Sequence, residues 1–76
     1  MTCFSLDLAG ATKEGRAFDV RTRGGAFAGL VSERYGRGVR VWFNGSATRG
    51  SAKLFADIPA ALEYIAQRRI KKGWGL

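Results

Sequence analysis

Apolar and polar positions alternate near the start of the chain: Phe4, Leu6 and Leu8 are separated by Ser5 and Asp7, the period-two pattern of a half-buried strand. Residues 10–15 then read as polar turn material. The alternation resumes over residues 17–21, with Phe18 and Val20 on one face and Asp19 and Arg21 on the other, and it stops at Arg23, Gly24 and Gly25. These two segments predict a hairpin. A third strand is predicted over Phe27–Arg34 and a fourth over residues 39–43, joined through Tyr35, Gly36, Arg37 and Gly38. Asn44 and Gly45 suit a turn that needs positive φ, residues 46–50 a polar loop, and Lys53–Phe55 a short fifth strand.

After Asp57 the period becomes helical. Ile58, Leu62, Ile65 and Ala66 fall on one face, Asp57 is placed to cap the first turn, and Pro59 sits where a missing amide is tolerated. Arg68, Arg69, Lys71 and Lys72 crowd the last turn, where positive charge complements the helix dipole, and Gly73 is a natural stop. The pattern therefore predicts one α+β domain over residues 1–76: an antiparallel sheet of four to five strands with a single C-terminal helix across one face. With only one helix there is no helix-turn-helix, and no element for reading base sequence is visible.

Charge changes what this domain is expected to meet. The 76 residues carry 13 Lys and Arg against 6 Asp and Glu, for a net charge of +7. Nine of the 13 cations are Arg, whose planar fork grips phosphate or stacks on a base where Lys acts as a point charge. A polyanion, nucleic acid above all, is the partner this favours. The longest uncharged stretches fall far short of a transmembrane helix, so no membrane partner is expected. The lone Cys3 and the lack of a basic segment followed by an apolar one at the N-terminus point to a reducing, cytoplasmic setting.

Catalytic chemistry finds little footing. The chain has no His and one Cys, which removes Cys- or His-based metal sites and every His-dependent triad, and Asp7, Asp19 and Glu33 are scattered over strand positions that face solvent. No enzyme activity, cofactor or metal is expected.

Binding chemistry concentrates at three places. The first is the turn, where Tyr35, Gly36 and Arg37 set a ring beside a guanidinium with a small residue between them; the competing reading is an ordinary hairpin turn with Tyr35 packed on the sheet. The second is the basic helix end, where Arg68, Lys71 and Lys72 are followed, after Gly73, by Trp74, so charge and a stacking platform lie together. Helix-dipole complementarity alone accounts for part of that cluster, and Arg69 lies close enough to the core-facing stripe for its stem to be buried. The third is the fourth strand, where Arg40 and Trp42 share a face, which a plain solvated strand face also explains. Arg21, Arg23 and the Gly24, Gly25 pair resemble one RGG element but read as a turn, and the Asn44, Gly45, Ser46 sequon reads as a hairpin.

Taken along the chain, the motifs resemble the WGR domain, a small module of nucleic-acid-linked proteins. Tyr35, Gly36 and Arg37 stand where its Trp-Gly-Arg triplet would be, with Tyr in place of the signature Trp. Residues 4–8, 16–20 and 24–35 match the strands and Gly-containing hairpin that precede the triplet. Phe55, residues 57–69, and Lys71, Lys72, Gly73 and Trp74 match the Phe-led helix and its basic stop. The resemblance implies that Tyr35 stacks on a sugar or base, that Arg37 holds a phosphate, and that Trp74 closes the same site from the helix end. It points to DNA, at an end or nick, more than to RNA. The other function in view is a small interaction module, such as a phage- or plasmid-encoded inhibitor, whose basic face meets an acidic protein surface.

Overall fold

The computed structural model describes residues 4–43 and 53–74. Five strands, β1 (Ser5–Thr12), β2 (Gly15–Arg21), β3 (Phe27–Arg34), β4 (Gly38–Phe43) and β5 (Lys53–Phe55), are followed by one helix, α1 (Ile58–Lys71). The strands lie in the order of the chain and every neighbouring pair is antiparallel, an up-and-down meander. The α+β architecture expected from the hydrophobic pattern is the one observed. Asn44, Gly45 and the loop over residues 46–50 lie outside the described residues.

One boundary is corrected. Residues 10–15 do not form a long turn: Gly10, Ala11 and Thr12 pair with Ala17, Arg16 and Gly15, leaving only Lys13 and Glu14 between β1 and β2. The Glu14 amide donates to Thr12 Oγ1 at 3.1 Å and tightens this connection. Strand pairing here depends on the backbone ladder, since Gly-Ala-Thr offers no apolar alternation to reveal it, and a register irregularity between Leu8 and Gly10 breaks the pattern further.

The core forms between one sheet face and α1. Val20, Val31, Val39, Val41 and Phe43 project from the strands onto Ala61 and Ile65, and all are buried. Alternation along β4 puts Val39, Val41 and Phe43 inside and Arg40 and Trp42 on the opposite face, as a period of two requires. Among the described residues the helix packs chiefly on β3, β4 and β5, so the β1–β2 side of the same face keeps Leu6 and Phe18 half-buried and Leu8 exposed.

Both helix ends are closed by their own sequence. Asp57 Oδ1 accepts from the Ala60 amide at 2.9 Å, the N-cap bond that satisfies an otherwise orphaned donor. At the other end the Trp74 amide donates to the Arg69 carbonyl at 2.9 Å and the Gly73 amide to the Ile70 carbonyl at 3.0 Å, the paired bonds of a Schellman stop. Arg69 is buried, at 8% exposure, which settles its place on the core side of the helix end. Among the described residues no helix is long and apolar enough to cross a membrane.

Candidate nucleic-acid interface

In a meander, alternate turns emerge at the same end of the sheet. The Lys13, Glu14 turn and the turn of residues 35–37 therefore lie side by side, joined by a bond from the Tyr35 amide to the Glu14 carbonyl at 3.0 Å. Within the second turn the Arg37 amide donates to the Arg34 carbonyl at 2.9 Å. Gly36 at φ +78° and Gly38 at φ +92° supply the left-handed backbone that brings β4 back under the turn. The chain reversal leaves the Tyr35 ring outside, 53% exposed, so the packed-on-the-sheet reading of this residue does not hold.

The arginines at this end converge. Arg34, Arg37 and Arg40 line one cleft of about 190 Å³ together with Gly38 and Leu54. Lys13, Glu14, Arg34, Tyr35 and Arg37 line a second hollow on the turn side. A larger cleft of about 650 Å³ runs from the turn to the start of α1, bounded by Val39, Phe55 and Asp57.

Acids near this end are already engaged. Glu33 holds Arg16 by a bond of 2.7 Å, and its hydrogen bond and charge raise the Arg16 pKa further above the ordinary guanidinium value. A cation with a raised pKa contributes its stabilisation below the unfolded value and loses it only in strong alkali, so the Arg16 charge is constant through the neutral range. Asp57 is committed to the helix cap. Glu14 approaches Arg34 only at 3.8 Å, with both side chains more than half exposed, a pairing of small energetic weight. Among the described residues Arg37 and Arg40 have no carboxylate within ion-pair distance. Three arginines lining one hollow with so little compensation form a site suited to an anion with several oxygens, which an Arg fork binds in bidentate geometry.

The helix end is arranged differently. The Trp74 ring stacks on Phe43, with centroids 5.8 Å apart and planes 11° from parallel, and Arg69 and Lys72 approach the same ring at 5.6 and 5.3 Å. Arg68 lies over Phe43 at 5.3 Å and over Tyr64 at 5.9 Å. One face of Trp74 is thus taken by Phe43, and three cations of the segment, Arg68, Arg69 and Lys72, lie against rings of the same molecule. Lys71 remains exposed beyond them.

The nine residues singled out from the sequence therefore divide. Tyr35, Gly36, Arg37 and Arg40 are brought together at the turn end; Trp42 shares Arg40's sheet face further along β4; Arg68, Lys71, Lys72 and Trp74 gather at the far end of α1. The expectation that Trp74 closes the Tyr35 and Arg37 site is overturned. β5 ends beside the turn and α1 starts there, so its 14 residues carry Trp74 away by roughly 20 Å, at 1.5 Å per residue. Phe43, the ring beneath Trp74, is correspondingly the last residue of β4 while the turn adjoins its first.

Arg34, Lys13 and Leu54 belong to the turn site and were not singled out by the sequence pattern. The signal that finds them is topological: once a meander is assumed, the two hairpin turns must share an end. No protein-family model matches the chain, and no curated protein or solved structure shows detectable similarity to it.

Proposed function

We propose that this protein is a nucleic-acid-binding module, not an enzyme, that holds the phosphate backbone at the turn end of its sheet. The observation that carries this is the convergence of Arg34, Arg37 and Arg40 on one cleft with only the distant Glu14 contact to offset them. Tyr35, exposed on the apex, offers a ring for a sugar or base beside those guanidiniums. The net charge of +7 supplies long-range attraction to the same class of partner. The likeness of Tyr35, Gly36 and Arg37 to the WGR triplet supports the reading and favours DNA.

Fluorescence anisotropy with blunt duplex, nicked duplex, single-stranded DNA and RNA, at two salt concentrations, tests it. The wild-type protein is expected to bind with affinity that falls as salt rises, and Arg37→Ala to weaken binding about 10-fold or more, the loss of a charge-assisted phosphate contact. Absence of binding to every probe at low salt overturns the proposal and directs attention to an acidic protein surface as the partner of the basic face.

A further inference from the structure

The sheet face opposite α1 has a division of its own. Register places Ser5, Asp7, Ala17, Asp19 and Arg21 on the β1–β2 part of this face, and Leu30, Ser32, Arg34, Arg40, Trp42 and Leu54 on the β3–β5 part. The first part holds both acids, and Arg21 there is neutralised by Asp7 at 2.8 Å. The second part holds no acid among the described residues; Glu33, the nearest, points to the other face and bonds Arg16. Half of the sheet face is thus cationic and apolar, and the other half is acidic or neutralised.

Charge complementarity places a polyanion on the β3–β5 half, and the apolar surface there narrows its class. Trp42 pairs across the ladder with Leu30, and Arg40 with Leu54, which is 62% exposed. Duplex DNA presents phosphates and groove edges to a flat surface and keeps its base faces stacked inside. Leucine and indole surface gains nothing from that contact. A single strand has unstacked base faces to offer, and these match an indole on a strand face.

We propose that the face of β3, β4 and β5 opposite α1 seats a single-stranded polynucleotide, with phosphates on Arg34, Arg37 and Arg40 and a base stacked on Trp42. This rests on the reading that the arginine cleft binds phosphate, and adds the form of nucleic acid it takes. The spacing fits a strand laid along β4: Arg40 and Trp42 are alternate residues, about 7 Å apart at two strand steps. Phosphate and base-face contacts are shared by DNA and RNA, so the sugar is left to the experiment.

Trp42 itself reports the contact. The chain has two Trp residues, so Trp74→Phe, which keeps a ring on Phe43, leaves Trp42 as the single indole. In that variant oligothymidylate and oligouridylate are expected to quench Trp42 emission in step with binding by anisotropy, and a duplex of equal length to leave it unchanged; the tighter of the two single strands names the sugar. Trp42→Leu, checked for its melting temperature, is expected to weaken single-strand binding by about 5- to 150-fold, the effect of losing one stacked base, with little change for duplex. Salt-dependent, Arg37-dependent binding that leaves Trp42 emission silent overturns this inference while the phosphate site stands. Failure of every nucleic acid to bind removes both.

Discussion

At Gly38 and Gly36 the same φ sign has different consequences. A Cβ on Gly38 would stand 2.7 Å from the Phe55 carbonyl oxygen and 3.3 Å from Leu54 Cδ1, while one on Gly36 would meet nothing within 4 Å. Gly36→Ala is therefore expected to cost about 1 kcal/mol, the left-handed penalty alone. Gly38→Ala adds a backbone collision and is expected to cost about 3 kcal/mol. Urea unfolding midpoints at constant m-value separate the two, and equal losses would contradict the close approach of β5 to this residue. At this scale Tyr35, Gly36 and Arg37 were legible because they adjoin in sequence. Arg34 was passed over because a strand-end Arg looks like any solvated one until Arg37 and Arg40 are seen lining the same hollow.

Elements here are set largely by local signals, and α1 shows what each contributes. Asp57 makes the N-cap bond at 2.9 Å and also borders the large cleft. Asp57→Ala is expected to lower the melting temperature by about 4–8 °C, the equivalent of about 1 kcal/mol in a domain of this size, without weakening nucleic-acid binding, since the change removes a negative charge from the cleft wall. Trp74 belongs to the element's other end and carries the sharper test. Stacked on Phe43, it covers the rim of the core, so Trp74→Ala is expected to reduce stability while leaving Arg37-dependent affinity nearly unchanged. Loss of affinity without loss of stability would restore it as a ligand contact. Basic residues and a Trp in succession read equally as a binding site or as a capped helix end. The partner that decides between them, Phe43, is remote in sequence.

For the molecule as a whole, one small core lies on one face of the sheet, and among the described residues no helix or strand packs on the other. Val20, Val31, Val39 and Val41 close on Ala61 and Ile65, and Ile65 is among the largest fully buried side chains. A 76-residue chain buries a smaller share of its surface than a larger domain does, so its stability lies toward the low end of the usual range of about 5–15 kcal/mol. Ile65→Ala, at about 2–5 kcal/mol, is expected to bring the protein to the edge of unfolding at room temperature, visible as lost cooperativity in thermal denaturation followed by circular dichroism. A small cost would mean that α1 contributes less to the core than its burial indicates.

Composition and period determined the fold class of this protein and its charge: alternation wrote most of the strands, the helical spacing after Asp57 wrote α1, and the excess of Lys and Arg over acid wrote the net charge of +7. These follow from sequence because each depends on neighbours within a few residues or on a simple sum of charges. Which cations lie together was decided only by tertiary structure. The meander brings two turns to one end, and β5 delivers the start of α1 beside them and its basic end to the opposite side. Register, invisible in the run from Gly10 to Thr12, then sorts acids from arginines across the face opposite α1. Contacts of that kind join residues distant along the chain, and their energy comes from burial and backbone pairing that no local pattern specifies.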